Sequence, residues 1–355
     1  MRKLLLIGFV ATVVAIGSAC NKEKVDTVVY SPVPLTVPVP AYVKNYVGEL
    51  QSPAANPLTV DGVALGRKLF YEKMLSNTST ISCASCHKQE SAFDDPFPFS
   101  KGTSGAIGNR NAMAVVNLAW NKRFFWDGRR NTLEGQAHDP VTNPIEMANT
   151  WPIVMLRLQF TRPYPDLFFK AFGTRTIDST LVVRAIAQFE RTLVSFDSRF
   201  DKYFYQGDSA ALTVPEQRGL ELFTGKAMCN NCHLMNTMFT DNMFRNNGLD
   251  INPADAGEMK FTGLATDKGK FKVPTLRNIA QTAPYMHDSR FATLEQVVDF
   301  YSSQVQQGSP NIDEHMPDFG TGLNLTSQER TDLVAFLKSL SDSSFLTNKA
   351  FSDPN

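Results

Sequence analysis

A chain of 355 residues suits two ordinary domains or one large one, and 43% hydrophobic against 20% charged residues supplies enough apolar material for packed cores; a mainly disordered chain is excluded. Lysine plus arginine equals aspartate plus glutamate, 35 against 35, so the basic surplus of a polyanion-binding protein is missing and nucleic acid is not an expected partner. Of five cysteines, four lie in two Cys-x-x-Cys-His pentapeptides and the fifth is Cys20, which leaves none for a structural disulfide.

The chain opens with Arg2 and Lys3, an apolar run from Leu4 to Ile16, and Gly17-Ser18-Ala19-Cys20. This pattern predicts a lipoprotein-type signal over residues 1–19, with cleavage leaving a lipid on Cys20. A plain secretory signal is the alternative, because Gly17 rather than an aliphatic residue stands three before Cys20. The run is short for a transmembrane helix, and either reading sends the chain out of the cytoplasm. Residues 20–45 follow as a tether. Pro32, Pro34, Pro38 and Pro40 within it favour extended polyproline II, with an edge strand as the alternative for part of it.

The body reads as mostly helical with long irregular connections. Asp178 precedes a helix with Leu181, Ala185, Ile186, Phe189 and Leu193 on one face. Thr213-Val214-Pro215-Glu216 fits a capping box, as do Thr293 to Gln296 and Thr326 to Glu329. The last opens a helix with Leu333, Phe336, Leu337 and Leu340 as its buried stripe. No sustained strand alternation occurs, and 26 phenylalanines suit packing around a large flat apolar group. Gly66-Arg67-Lys68-Leu69-Phe70 precedes Cys83–His87, and Gly219-Leu220-Glu221-Leu222-Phe223 precedes Cys229–His233, with the pentapeptides 229 − 83 = 146 residues apart. Two homologous domains are therefore expected, at 46–208 and 209–345, with the break at Gln206 to Ser209.

In a Cys-x-x-Cys-His, two thiols can add to the vinyl groups of one haem while the adjacent histidine reaches the iron. Zinc is the competitor for paired cysteines, but an immediate histidine in both copies, in an exported chain, points to haem c. Cys83, Cys86 and His87 would hold one haem c, and Cys229, Cys232 and His233 a second. Each iron has a further axial position, and its occupant separates substrate chemistry from electron transfer. Among the remaining histidines, His138 suits a distal role best, His287 reads as a structural residue with ligation open to it, and His315 reads as surface.

At this point the sequence resembles the bacterial dihaem cytochrome c peroxidases, a family that includes the MauG-like oxidases. The resemblance rests on an ordered set: Cys83–His87, Phe125-Trp126-Asp127-Gly128-Arg129, Gln136, Pro144-Ile145-Glu146-Met147, Cys229–His233, Leu276-Arg277-Asn278, and Thr282-Ala283-Pro284-Tyr285. It implies an all-α fold of two cytochrome c-like domains, with a peroxidatic N-terminal haem, an electron-transfer C-terminal haem and a calcium ion between them. It also implies the periplasmic side of a bacterial envelope. Carried over by motif, Glu146 is the distal acid/base, Gln136 its neighbouring amide, and Trp126 the indole between the haems. Asn111, Thr282 and Pro284 are the calcium positions.

The sequence departs from the peroxidase pattern twice. The loop Phe99 to Gly108 lacks the histidine that blocks the first haem in several peroxidases. Tyr301 stands where peroxidases place an axial methionine and MauG-like enzymes a tyrosine; Met286 and Met316 are the other candidate ligands. Periodicity alone would make Tyr301 a core residue of the Leu294, Val297, Val298 stripe. The resemblance implies reduction of hydrogen peroxide with electrons from a small donor protein such as a cytochrome c. The alternatives are a MauG-like oxidase of a protein or organic substrate, and a non-catalytic dihaem carrier.

Overall fold

The computed structural model of the chain describes residues 29–235, 238–316 and 322–354. The expected leader and Cys20 lie outside them, and no described helix is long and apolar enough to cross a membrane. The Pro-rich stretch is partly folded onto the body, which corrects the tether expected over residues 20–45. Leu35 N–H donates to Leu58 O at 3.0 Å and Val60 N–H to Val33 O at 2.9 Å, an antiparallel bridge centred on Pro34 and Thr59. Proline is tolerated there because its neighbours supply the bonds that its missing N–H cannot. The chain then turns into helix α1 (Ala41–Val47), whose Val43 packs with Phe196 and Met238.

Helices follow at α2 (Val60–Phe70), the short α3 (Cys83–Cys86), α4 (Leu133–Thr142), α5 (Trp151–Gln159), α6 (Tyr164–Phe172), α7 (Ser179–Thr192) and α8 (Arg199–Gln206). The second half adds α9 (Val214–Thr224), α10 (Met259–Thr262), α11 (Leu294–Ser303), α12 (Ser327–Ser339) and α13 (Ser343–Thr347). Two-residue strands β1 (Phe244–Arg245) and β2 (Phe271–Lys272) pair antiparallel. Asp178 caps α7 through its carboxylate and the Leu181 N–H. The three capping boxes form as the sequence predicts, at α9, α11 and α12.

Two apolar cores result. One centres on α2 against α7, with Leu69, Phe70, Ile186 and Phe189; the other on α9 against α12, with Phe223, Leu333 and Phe336. The repeated glycine explains the likeness of the two crossings. A β-carbon on Gly66 would lie 1.9 Å from Ala185 O, and one on Gly219 would lie 2.0 Å from Asp332 O. Each helix pair thus meets backbone to backbone where its glycine sits.

The cores do not divide at residues 206–209. Phe200 of α8 packs on Phe239 and Phe336 in the second core, while Phe345 and Phe351 return to the first, against Phe93. Relative to the expected spans 46–208 and 209–345, α8 moves to the second core and the C-terminal tail to the first. Gly207 ends α8 in the left-handed region (φ 74°), so it serves as a helix C-cap.

Candidate functional site

A cavity of about 830 Å³ runs between the cores and is lined by both Cys-x-x-Cys-His motifs. The two motifs are built alike. His87 Nδ1 lies 2.9 Å from Phe93 O, and His233 Nδ1 lies 2.9 Å from Phe239 O. A carbonyl can only accept, so Nδ1 carries the proton and Nε2 keeps its lone pair for a metal. Burial lowers both imidazoles from their usual range, which favours this neutral form. The four cysteines are unpaired, and burial pushes their thiols up, Cys229 to about 12 and Cys232 to about 11. Among the described residues, no three His, Cys, Asp or Glu side chains converge on a point that could hold a metal ion. Paired thiols and one imidazole on an apolar cavity suit haem c.

The structure exposes a second internal repeat that the sequence reading missed. Positions 112–134 align without gaps onto 273–295, an offset of 287 − 126 = 161, with Asn117/Asn278, Asp127/Asp288, Arg129/Arg290 and Thr132/Thr293 identical. Both asparagines adopt positive φ, and both segments close a one-residue bridge, Phe124 with Arg130 and Tyr285 with Phe291. Thr132 and Thr293 then cap α4 and α11. The signal was present as Thr-Leu-Glu at 132 and 293.

Under this offset Trp126 matches His287, and Asn111 matches Lys272. Reciprocal bonds join the halves at these positions. Asn111 N–H donates to His287 O, and Lys272 N–H donates to Trp126 O, both at 2.8 Å. The Trp126 indole N–H donates to Asn111 O at 2.9 Å, and His287 stacks on Phe271 with ring centres 3.8 Å apart. Burial lowers the His287 imidazole, leaving it neutral. Arg110 clamps the same seam, bonded to Asp127 and to Asp255, each at 2.7 Å.

The offset also pairs Pro140 of α4 with Tyr301 of α11, and both line the cavity. A proline ring has no donor atom for iron, whereas a phenol has one. Tyr301 Oη accepts from Asn247 Nδ2 at 3.0 Å, and burial pushes the phenol up to about 12. Met286 and Met316 pack with it against the Leu249, Phe300 and Val305 cluster. Glu146 lines the N-terminal part with Gln136. Burial raises its carboxyl, partly countered by Asn143 Nδ2, 2.6 Å from Oε1, and by Arg129. The loop expected to lack a blocking histidine packs on it instead: Thr103 N–H donates to Glu146 O at 2.9 Å, and a β-carbon on Gly102 would meet Ile145 O at 2.2 Å.

His138 does not reach the cavity. It tilts onto the Trp151 ring, with Asp139 3.8 Å from its Nδ1, which corrects its candidacy for a distal role. His315 lines the cavity within an Arg245–Asp313 network, with its side chain 35% exposed. Asn111, Thr282 and Pro284 all line the cavity, and the buried Asn111 Nδ2 has no hydrogen-bond partner among the described residues.

Residues 60–210 match the family model described as di-haem cytochrome c peroxidase. The chain is 39% identical over 291 residues to the methylamine utilization protein MauG of Methylorubrum extorquens, covering 81% of this chain and 80% of that protein. It is 37% identical over 292 residues to the cytochrome c551 peroxidase of Nitrosomonas europaea, covering 81% and 82%. Among solved structures, a MauG-like protein associated with microbial copper homeostasis matches with a TM-score of 0.81 at 37% identity, covering 90% of this chain and 99% of that one.

Proposed function

The chain belongs to the family of dihaem cytochrome c peroxidases and MauG proteins, and from that premise we propose that it reduces hydrogen peroxide to water on its N-terminal side, drawing electrons through its C-terminal side from a small redox protein. In this reading each core is a cytochrome c-like domain. Cys83, Cys86 and His87 hold one haem c, and Cys229, Cys232, His233 and Tyr301 hold the other. The bound haems supply the redox-active iron. The observation that carries the reading is an asymmetry within the repeat: Pro140, which cannot ligate, and a half-buried Glu146 occupy one half, while Tyr301 stands at the Pro140 position of the other.

The residues then divide the work. Glu146 takes a proton from one peroxide oxygen and returns it to the other, which leaves as water; two electrons and two protons complete a second water. Asn143 aims the carboxylate, and Gln136 offers an amide beside it. Trp126 supplies an indole orbital at the seam for electron passage. Asn111, Thr282 and Pro284 fit a hard calcium ion, because an amide turned to present its oxygen and backbone carbonyls are the donors such an ion takes. Export to the periplasm with a lipid on Cys20 accords with the leader.

A MauG-like oxidase of a protein or organic substrate is the second reading, favoured by Tyr301, since an anionic phenolate ligand stores an oxidising equivalent better than it accepts electrons. Turnover of peroxide with reduced cytochrome c tests the two. Rapid consumption of the reduced donor supports the peroxidase. Peroxide-induced spectral change in both haems without donor turnover supports the oxidase. Two haems inert to peroxide would leave only an electron carrier.

A further inference from the structure

Lys272 lies in β2 on the cavity wall, 4% exposed. No hydrogen bond or ion pair reaches its side chain among the described residues. The other cations near it are matched within the chain: Arg110 by Asp127 and Asp255, Arg245 by Asp241 and Asp313. Burial with no carboxylate to offset it pushes the Lys272 ammonium down to about 8, still mostly charged at neutral pH. An ammonium held on an apolar cavity wall without a partner is costly, so a fold that keeps one there has an anion for it. The backbone says where. Lys272 N–H bonds Trp126 O across the seam, the position that Asn111 occupies in the mirror half.

We propose that Lys272 is the counter-ion of a haem propionate at the seam between the two pockets, a positioning residue that holds that carboxylate beside Trp126 and raises the potential of its haem. The inference rests on the two-haem reading above, because a haem brings two carboxylates and the described residues offer Lys272 none. A fixed cation beside the macrocycle disfavours the ferric state, which carries one more positive charge than the ferrous.

The test uses the haem-loaded protein and its Lys272→Met and Lys272→Arg variants, with haem content, thermal midpoint and spectroelectrochemical potentials measured on each. The expected result is that Lys272→Met keeps both haems, melts lower because a propionate loses its partner, and shows one of two potentials shifted downward. Lys272→Arg restores that potential. With both haems retained, unchanged potentials or a raised melting temperature overturn the inference. Lys272→Gln replaces Lys272→Met, with the same readings, if the latter does not accumulate. A wild-type potential that follows the buffer anion, phosphate against chloride, assigns the charge to a free anion and also overturns it. Wild-type protein with fewer than two covalent haems would instead overturn the two-haem reading itself.

Discussion

Glu146 gains its chemistry from where its neighbours leave it. Its backbone oxygen is held by Thr103, its carboxylate is aimed by Asn143, and burial raises its pKa from the ordinary value. As the proposed base, Glu146 acts only above that raised value, so peroxide-driven oxidation should fall as pH drops through it. Glu146→Gln should retain both haems, slow the reaction by roughly 10² and abolish this acid limb. Rapid mixing over a pH series checks it, and an unchanged limb would move the proton transfer to another group. Tyr301 accepts a hydrogen bond from Asn247, and burial pushes its phenol up to about 12, which favours the neutral form. Tyr301→Phe should open the second haem to exogenous ligands, and Tyr301→Met should raise its potential, as a neutral thioether favours ferrous iron. Cyanide titration and potentiometry read the two effects; a wild-type ferric spectrum in Tyr301→Phe would hand the ligation to Met286 or Met316.

At the scale of helices, the Gly-x-x-Leu-Phe repeat was legible because it encodes one physical necessity twice. Gly66→Ala would drive a methyl into the Ala185 carbonyl, a backbone atom that cannot step aside. The expected cost is on the order of 2 kcal/mol or more, against near zero for Gly108→Ala, whose new contacts would begin at 3.7 Å. Denaturant unfolding of the two variants measures the difference, and equal midpoints would mean the crossing can relax. Capping boxes were equally readable, since they depend on residues three apart. The 161-residue repeat was not, although it governs the site. Its identities fall mostly on turn and cap residues, while several positions on the cavity wall have diverged: Trp126 against His287, Pro140 against Tyr301, Asn111 against Lys272. Where two halves take different tasks, the pattern that would reveal them as copies is erased first. The family resemblance supplied Trp126, Tyr301 and Asn111; Pro140, Asn247 and Lys272, which no local pattern marks, emerged only from packing.

Across the whole molecule the halves are joined by charge as well as by backbone. Burial alone would raise Asp255, but the Arg110 guanidinium and the Gly257 N–H hold it down to about 2. A carboxyl held below its unfolded value of 3.8 contributes fully above that pH, and the contribution disappears as pH falls through about 2. Asp255→Asn should therefore be less stable than wild type at neutral pH and should lose stability less steeply between those two values. Unfolding curves at stepped acid pH check this, and parallel curves would remove the clamp from the account. The halves are also laced by the tail. Gln89, two residues past His87, donates to Phe345 O and Asn348 O and accepts from Ser352, while Arg67 and Tyr71 donate to the Ser352, Lys349 and Phe351 carbonyls. A chain made from its N-terminus thus completes its first core only when residues 345–352 have been made. Until they arrive, the segment bearing Cys83 and Cys86 lacks its clasp. With Cys83 and Cys86 holding a haem as proposed, order of synthesis alone would keep that motif open longest to the machinery that joins haem to thiols.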